Sequence, residues 1–162
     1  MTEHRQLPAL DPAITEELRR LAATYADAVD GRERELLLSA FHPDATLVVE
    51  RAESESRPMR GHEQIGRITT AIAKYRQTFH FIGHSTYRPA PDGASGTVAC
   101  IAHHRWTDDA GTDLDHVMYI RYLDEYRTGD DGIWRIAARI VHVEWSETRV
   151  IAATELGQTE RR

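Results

Sequence analysis

The sequence predicts an α+β fold in which N-terminal helices pack on a curved, mainly antiparallel sheet and enclose an apolar pocket in a cone-shaped barrel. Helical periodicity dominates the first half of the chain, and four long β-rich segments separated by turn residues follow in the second half. The 162 residues, 41% of them hydrophobic, suit a single core. We expect one domain over residues 11–146, a loose tail at 1–10 and a C-terminal tail at 147–162.

The first helix is expected over residues 12–29. Asp11 provides an N-cap, Pro12 suits the first helical position, and apolar residues then recur at helical spacing. Asp30 and Gly31 are expected to end the helix. Three further elements are expected in the first half of the chain: a helix at 33–41, a strand at 45–50 and, after a polar loop, a helix at 61–75.

The second half is expected to form consecutive antiparallel hairpins. Its segments are rich in β-branched and aromatic residues, and the sequences between them combine Gly with Asp or Pro, as hairpin turns do. The expected strands are 78–87, 95–107, 113–127 and 133–145.

The charge distribution argues against a nucleic-acid partner. The chain has 20 basic and 26 acidic side chains, a net charge of −6, and its basic residues are interspersed with acids. No apolar stretch is long enough for a membrane span, and residues 1–6 lack the apolar region of a signal peptide. Because the single Cys100 also excludes an internal disulfide, we expect a cytoplasmic protein.

Nine histidines are about twice the usual number for this length and direct attention to acid–base or metal chemistry. His80 and His84 share one face of a predicted strand but lie ~13 Å apart, too far to bind one metal ion. His103 and His104 point to opposite faces of their strand. We therefore expect no catalytic metal.

Strict alternation along the last strand divides its side chains between two faces. The more apolar set is expected to face the pocket: Trp134, Ile136, Ala138, Ile140 and His142. The opposite set supplies the residues expected on a self-association surface: Arg135, Arg139, Val143 and Trp145. Further pocket candidates come from other elements: Phe41, Val48, Ile68, Ile72, Trp106 and Met118.

The residues at the end of the first helix are open to two interpretations. Tyr25 and Asp30 share a face only if Asp30 has already left the helix, because five residues correspond to about 140° of net rotation. On the helix pattern alone, Tyr25 is a core residue and Asp30 a polar residue at a helix end.

Five segments, in their order and spacing, resemble the SnoaL-like branch of the nuclear-transport-factor-2-like superfamily over about residues 12–146. These segments are Tyr25–Glu33, Phe41–Ala45, Arg60–Ile65, Thr78–Phe81 and Asp131–Ile136. The resemblance implies a cone that encloses a small-molecule site. Proteins with this cone include dehydratases, isomerases, cyclases and non-catalytic binders, so the fold does not determine the reaction.

The resemblance also implies site residues. Scytalone dehydratase, hexachlorocyclohexane dehydrochlorinase and bile acid 7-alpha-dehydratase pair an Asp at the end of the first helix with a His on the strand after the third helix. Asp30 and His80 fall at those two positions. Tyr25 matches a tyrosine of the bile acid enzyme. An arginine that two of these enzymes carry late in the final strand is replaced here by His142.

On this basis we expect a cofactor-independent, dehydratase-like lyase for a small hydrophobic cyclic or polycyclic substrate. His80 would act as the general base, Asp30 would orient it, and Tyr25 would donate a hydrogen bond to the substrate. The expected substrate-binding residues are His142, His84, Trp106, Met118 and Trp134. An isomerase or polyketide cyclase, and a non-catalytic binding or small-subunit protein, are the alternatives. A homo-oligomer, dimer or trimer, is expected.

Overall fold

The computed structural model describes residues 9–51 and 57–151 and confirms the predicted α+β class. The helices are α1 (Pro12–Gly31), α2 (Arg34–Ser39), α3 (Gly61–Ile65) and α4 (Arg67–Ala71), followed by a 3₁₀ turn (Ile72–Lys74). The strands are β1 (Phe41–Glu50), β2 (Met59–Arg60), β3 (Gln77–Ala90), β4 (Gly93–Thr107), β5 (Asp113–Thr128) and β6 (Trp134–Val150). Among the described residues these strands form one sheet in the order β2-β1-β6-β5-β4-β3, and no helix there could span a membrane.

Helix α1 begins and ends close to the predicted positions. The Asp11 carboxylate accepts a hydrogen bond of 2.7 Å from the backbone of Ala13, which caps the N-terminus. At the C-terminus the left-handed residue is Arg32, with φ of 58°. Its guanidinium donates to the carbonyl oxygens of Asp30 (3.0 Å) and Tyr75 (2.8 Å). These bonds hold the end of α1 against the segment that leads into β3.

The predicted helix 61–75 is divided into α3, α4 and the 3₁₀ turn. The division falls at Gly66, where a Cβ atom would come within 2.7 Å of Nε of Arg34 and 2.9 Å of the His62 carbonyl oxygen. A side chain at this position would displace the Arg34 side chain and press on the backbone of α3. The interruption leaves the short α4 and the 3₁₀ turn along one wall of the interior.

The predicted hairpins β3–β4, β4–β5 and β5–β6 are all present and antiparallel. β1 begins at Phe41, earlier than expected, and pairs in parallel with β6. β6 continues to Val150, beyond the domain end predicted at residue 146, because it pairs with β5 as far as Leu114. Of the predicted tails at 1–10 and 147–162, residues 1–8 and 152–162 lie outside the described part of the chain.

A β-bulge in β6 changes which side chains face the interior. The register against β5 shifts by one residue at Ala137. Ile136 and Arg139 consequently both face the core and are 0% and 1% exposed, whereas His142 points outward. The prediction that His142 faces the pocket and Arg139 the outer surface was wrong, because strict alternation does not continue through a bulge.

Arg139 is part of a buried polar cluster at the centre of the core. It donates from Nε and Nη2 to the carboxylate of Asp124 at 2.8 and 2.6 Å, and Tyr126 donates to the same carboxylate. Its guanidinium lies 4.4 Å from the ring centroid of Tyr25 and 4.2 Å from that of Tyr122. Pairing offsets the cost of burying the two charges, and the stacked rings are held in fixed positions.

Candidate active site

A cavity of about 240 Å³ lies between the helices and the concave face of the sheet. Its walls come from α1, β1, α4, the 3₁₀ turn and the inward-facing residues of β3 to β6. The main apolar residues of the lining are Val29, Leu47, Ile68, Ile72, Met118 and Ile120. The polar residues are Tyr25, Arg51, Lys74, Tyr75, His80, His104, His116 and Tyr122. A small apolar cavity with a few convergent polar groups is typical of a small-molecule site.

Asp30 and His80 form a hydrogen-bonded pair at the wall of this cavity. His80 Nδ1 lies 2.7 Å from one carboxylate oxygen of Asp30, and the backbone N–H of His80 donates to the other at 2.7 Å. The two residues come together because Arg32 holds the end of α1 beside the start of β3. One residue therefore uses both its ring and its backbone to orient a single carboxylate.

The pairing determines which ring nitrogen of His80 can act as a base. Burial alone would raise the pKa of Asp30, but hydrogen bonds from the side chain and backbone of His80 outweigh it and hold that pKa below its ordinary value. An ionised carboxylate only accepts hydrogen bonds, so Nδ1 carries the proton. Nε2 of the neutral ring is then unprotonated and available to remove a proton.

Tyr25 lines the cavity beside this pair. Its ring makes an edge-to-face contact with His80, with centroids 6.4 Å apart. Burial raises the pKa of Tyr25 to about 12, although the nearby charge of Arg139 opposes the rise. Tyr25 is therefore a neutral phenol at physiological pH, able to donate a hydrogen bond but not to act as a base.

Three histidines form a row across adjacent strands on the concave face. The ring of His104 on β4 lies 5.7 Å from that of His80 on β3 and 6.4 Å from that of His116 on β5. Burial and the proximity of His80 lower the pKa of His104 to about 4, so this ring is neutral at pH 7. Its buried Nδ1 has no hydrogen-bond partner among the described residues. Such an atom can bind a polar group of a ligand.

The structure brings together only part of the predicted set. Tyr25, His80 and Met118 line the cavity, and Asp30 supports it through His80. His84 instead faces the outer side of the sheet, where it accepts a hydrogen bond of 2.9 Å from Arg121. The register of β3 against β4 shifts between Ile82 and Ser85, so the prediction that His84 shares the face of His80 was wrong.

Three other predicted substrate-binding residues are also outside the cavity lining. His142 lies on the outer face, with its Nδ1 3.3 Å from the carboxylate of Glu50. Trp106 packs edge-on against Tyr75, and Tyr75 lines the cavity in its place. Trp134 begins β6 and packs against the hydrophobic core. Of the remaining pocket candidates, Ile68 and Ile72 line the cavity, whereas Phe41 and Val48 do not.

Sequence reasoning missed His104, His116, Arg51 and Lys74 as cavity residues. The available signal was strand register: His104 pairs with Thr78 on one side and with His116 on the other, which puts both histidines on the face of His80. That register could not be counted reliably through the bulge in β3. Within the described residues, no three His, Cys, Asp or Glu side chains are grouped closely enough to hold a metal ion.

The architecture defines a cone-shaped α+β protein of the nuclear-transport-factor-2-like type, with its cavity between the helices and the concave sheet. The model of the SnoaL-like domain matches residues 13–140. The chain therefore belongs to the SnoaL-like domain family. No curated protein matches it.

Several solved structures share this fold. The Kfla4162 protein from Kribbella flavida aligns with a TM-score of 0.74 at 21% identity, covering 85% of this chain and 95% of its own. A proposed scytalone dehydratase from Novosphingobium aromaticivorans DSM 12444 gives 0.68 at 19% identity, with 93% and 95% covered. Hexachlorocyclohexane dehydrochlorinase LinA-type3 from Novosphingobium barchaimii LL02 gives 0.70 at 16% identity, with 88% and 92% covered. Identities this low establish the fold alone.

Proposed function

We propose that this protein is a cofactor-independent lyase that eliminates water or a halide from a small hydrophobic cyclic substrate. The observation that carries the proposal is the hydrogen bond between Asp30 and His80, whose ring lines a mainly apolar cavity. Such a pair supplies a base of fixed tautomer in a site of restricted water access. The names of two structural relatives, a dehydrochlorinase and a proposed dehydratase, agree with this class of reaction.

The elimination itself needs one proton acceptor. Nε2 of His80 removes a proton from carbon, the electrons of that C–H bond form the new double bond, and the leaving group departs from the adjacent carbon with its bonding pair. Asp30 stabilises the imidazolium that results. A departing halide needs no proton, whereas a departing hydroxide takes one from the imidazolium and leaves as water.

Tyr25 and His104 supply the other polar contacts at the reacting end of the cavity. Tyr25 remains protonated and donates a hydrogen bond to the substrate oxygen or leaving group. The unpartnered Nδ1 of His104 gains a partner when a polar substrate group binds beside it. His104 and Tyr25 thus make the polar substrate contacts that the sequence analysis expected from His142 and His84.

The cavity volume limits the size of the substrate. At about 240 Å³ it lies below the range of ~300–1,000 Å³ typical of drug-sized ligands. We therefore propose a substrate of one or two rings instead of a larger polycycle.

The reaction is tested by incubating the protein with a panel of one- and two-ring alcohols and halides and measuring product masses. Loss of water or hydrogen halide, abolished in His80→Ala, is the expected result. Conversion without change of mass would replace this proposal with an isomerase or cyclase that uses the same base. Compounds that bind but are never converted would replace it with a binding protein.

We also propose that the protein is a homo-oligomer that associates through the outer face of the sheet. Phe79, Phe81 and Trp145 are each more than half exposed there, an unusual amount of aromatic surface for a monomer. Light scattering coupled to size exclusion is expected to show an oligomer that Phe81→Asp dissociates. A monomeric wild-type protein would contradict the proposal.

A further inference from the structure

The charged side chains that line the cavity are all cationic, as far as the described residues go. They are Arg51 at the end of β1 and Lys74 in the 3₁₀ turn, and no Asp or Glu belongs to the described lining. Asp30 reaches the cavity only through His80. Because the whole chain has a net charge of −6, the cavity is opposite in sign to the protein average. A cavity of this kind favours a negatively charged ligand.

Arg51, although exposed, differs in its contacts from three arginines elsewhere in the chain. Arg67, Arg127 and Arg135 each pair with a carboxylate. Nη2 of Arg51 instead lies 3.9 Å from the sulfur of Met118, and both residues line the cavity. A thioether is a weak acceptor, so among the described contacts the strong donors of this guanidinium are not used. A carboxylate matches the planar, forked geometry of those donors better than other small anions do.

His116 lies next to Arg51 and is connected through His104 to His80, where the reaction is proposed to occur. Its Nδ1 is hydrogen-bonded to the hydroxyl of Thr148 at 2.9 Å, which fixes the ring. Burial and the charge of Arg51 lower the pKa of His116, so Arg51 carries the positive charge at this end of the cavity. The row His80, His104 and His116, with steps of 5.7 and 6.4 Å, connects the wall that holds the base with the end of the cavity at Arg51.

We propose that the ligand of this cavity is a hydrophobic cyclic acid of one or two rings, with its carboxylate on Arg51 and its reacting carbon at His80. The inference rests on the proposed function for the position of the reacting carbon at His80. The contact between the carboxylate and Arg51 does not depend on the reaction and can be tested by binding alone. Lys74, the other cation of the lining, adds attraction without a fixed contact. The apolar skeleton packs on Met118, Ile68 and Ile72.

The test compares 2-naphthoic acid with 2-naphthamide, which have the same skeleton and differ in charge. We expect the wild-type protein to bind the acid at least about ten-fold more tightly than the amide in calorimetry at low ionic strength. Arg51→Gln is expected to lower the affinity for the acid to that for the amide. Unchanged amide binding in this variant shows that it is folded. Arg88→Gln, which removes the same charge from an exposed position on β3, is expected to change neither affinity.

Equal affinities of the wild-type protein for the two compounds would overturn the inference, as would an acid preference that survives Arg51→Gln or the failure of both compounds to bind. The proposed reaction fails separately. His80→Ala is expected to keep the acid preference while it loses turnover. If the wild-type protein prefers the acid but eliminates no substrate, only the proposed lyase reaction is contradicted. If the wild-type protein catalyses elimination but does not prefer the acid, only the proposed contact between the carboxylate and Arg51 is contradicted.

Discussion

Two histidine–aspartate pairs lie on opposite faces of the same sheet and share one geometry. The inner pair joins Nδ1 of His80 to Asp30 at 2.7 Å, and the outer pair joins Nδ1 of His103 to Asp115 at 2.8 Å. Distance alone does not distinguish them. The difference lies in which partner is buried and in what else contacts the carboxylate.

In the inner pair the ring is enclosed, with the His80 side chain 5% exposed and Asp30 24% exposed. In the outer pair the order is reversed: His103 is 29% exposed and Asp115 6%. The outer carboxylate is also shared with Arg149 at 3.1 Å, whereas among the described residues no Arg or Lys pairs with Asp30. The inner pair therefore combines an enclosed ring with a carboxylate that no described Arg or Lys shares, and the proposed role of His80 as the base rests on these two differences.

Replacing the two histidines tests this difference most strongly. His80→Ala is expected to lower kcat by ~10²–10⁴, the usual contribution of a general base, on whichever substrate the screen identifies. His103→Ala, the matched control, is expected to leave kcat within about two-fold because its ring opens away from the cavity. Steady-state kinetics of both variants measure the contrast. Equal losses in the two would contradict the assignment of the inner pair as the site.

Replacing the two aspartates separates orientation from folding. Asp30→Asn is expected to lower kcat by about 10² or more, since the amide no longer fixes the tautomer of His80 or stabilises its imidazolium. Asp115→Asn is expected to spare kcat and to destabilise the fold by about 1–3 kcal/mol, because it weakens hydrogen bonds to a buried carboxylate. Kinetics and urea unfolding of both variants are the measurements. If fully folded Asp115→Asn also lost kcat, the proposed difference between the two pairs would be contradicted.

The fold was predictable because long helices and strands produce a regular spacing of apolar residues in the sequence. The helical spacing of α1 and the turn sequences between β3 and β6 indicated the helices and hairpins that the structure contains. The bulges at Ala137 and between Ile82 and Ser85 were not predictable. Each adds one residue without changing composition and reverses the facing of the side chains that follow it, in β6 as far as a second register shift between Val143 and Trp145.

The site was predictable only in part, for a related reason. Asp30 and His80 were indicated by family resemblance, since neither the helix pattern nor the strand pattern shows that they meet. His104 and His116 join the site through cross-strand register, and Arg51 joins it from the end of β1. A contact between four separate elements depends on how they pack, and a single sequence records that packing weakly.

Acidification is expected to weaken the inner region through His104. The pKa of His104 is lowered from 6.5 to about 4 in the folded protein. Between pH 6.5 and pH 4, His104 is therefore protonated in the unfolded chain but not in the folded protein. Stability therefore falls by about 3 kcal/mol as the pH drops from 6.5 to 4 and levels off below. Urea unfolding across this range measures the slope.

His104→Phe is the variant that isolates this contribution, because it fills the same space beside Tyr75 without a titrating group. Its stability is expected to fall much less between pH 6.5 and 4, with a residual slope from His116, whose pKa is also lowered. The same substitution at His103 keeps the wild-type loss. If His104→Phe showed the full slope, the neutral state of His104 at pH 6.5 would have to be abandoned.

The smallest expected effect concerns the cation that distinguishes the outer pair. Burial would raise the pKa of Asp115, but hydrogen bonds from His103 and then Arg149 hold it below its ordinary value near 3.8. Because Arg149 is 56% exposed, Arg149→Gln is expected to cost at most about 1 kcal/mol at pH 7. A carboxylate with a lowered folded pKa loses its contribution as the pH falls through that value, so the gap should close below about pH 4. If kcat then stays unchanged, the outer pair makes no contribution to turnover even when its carboxylate is no longer shared with Arg149.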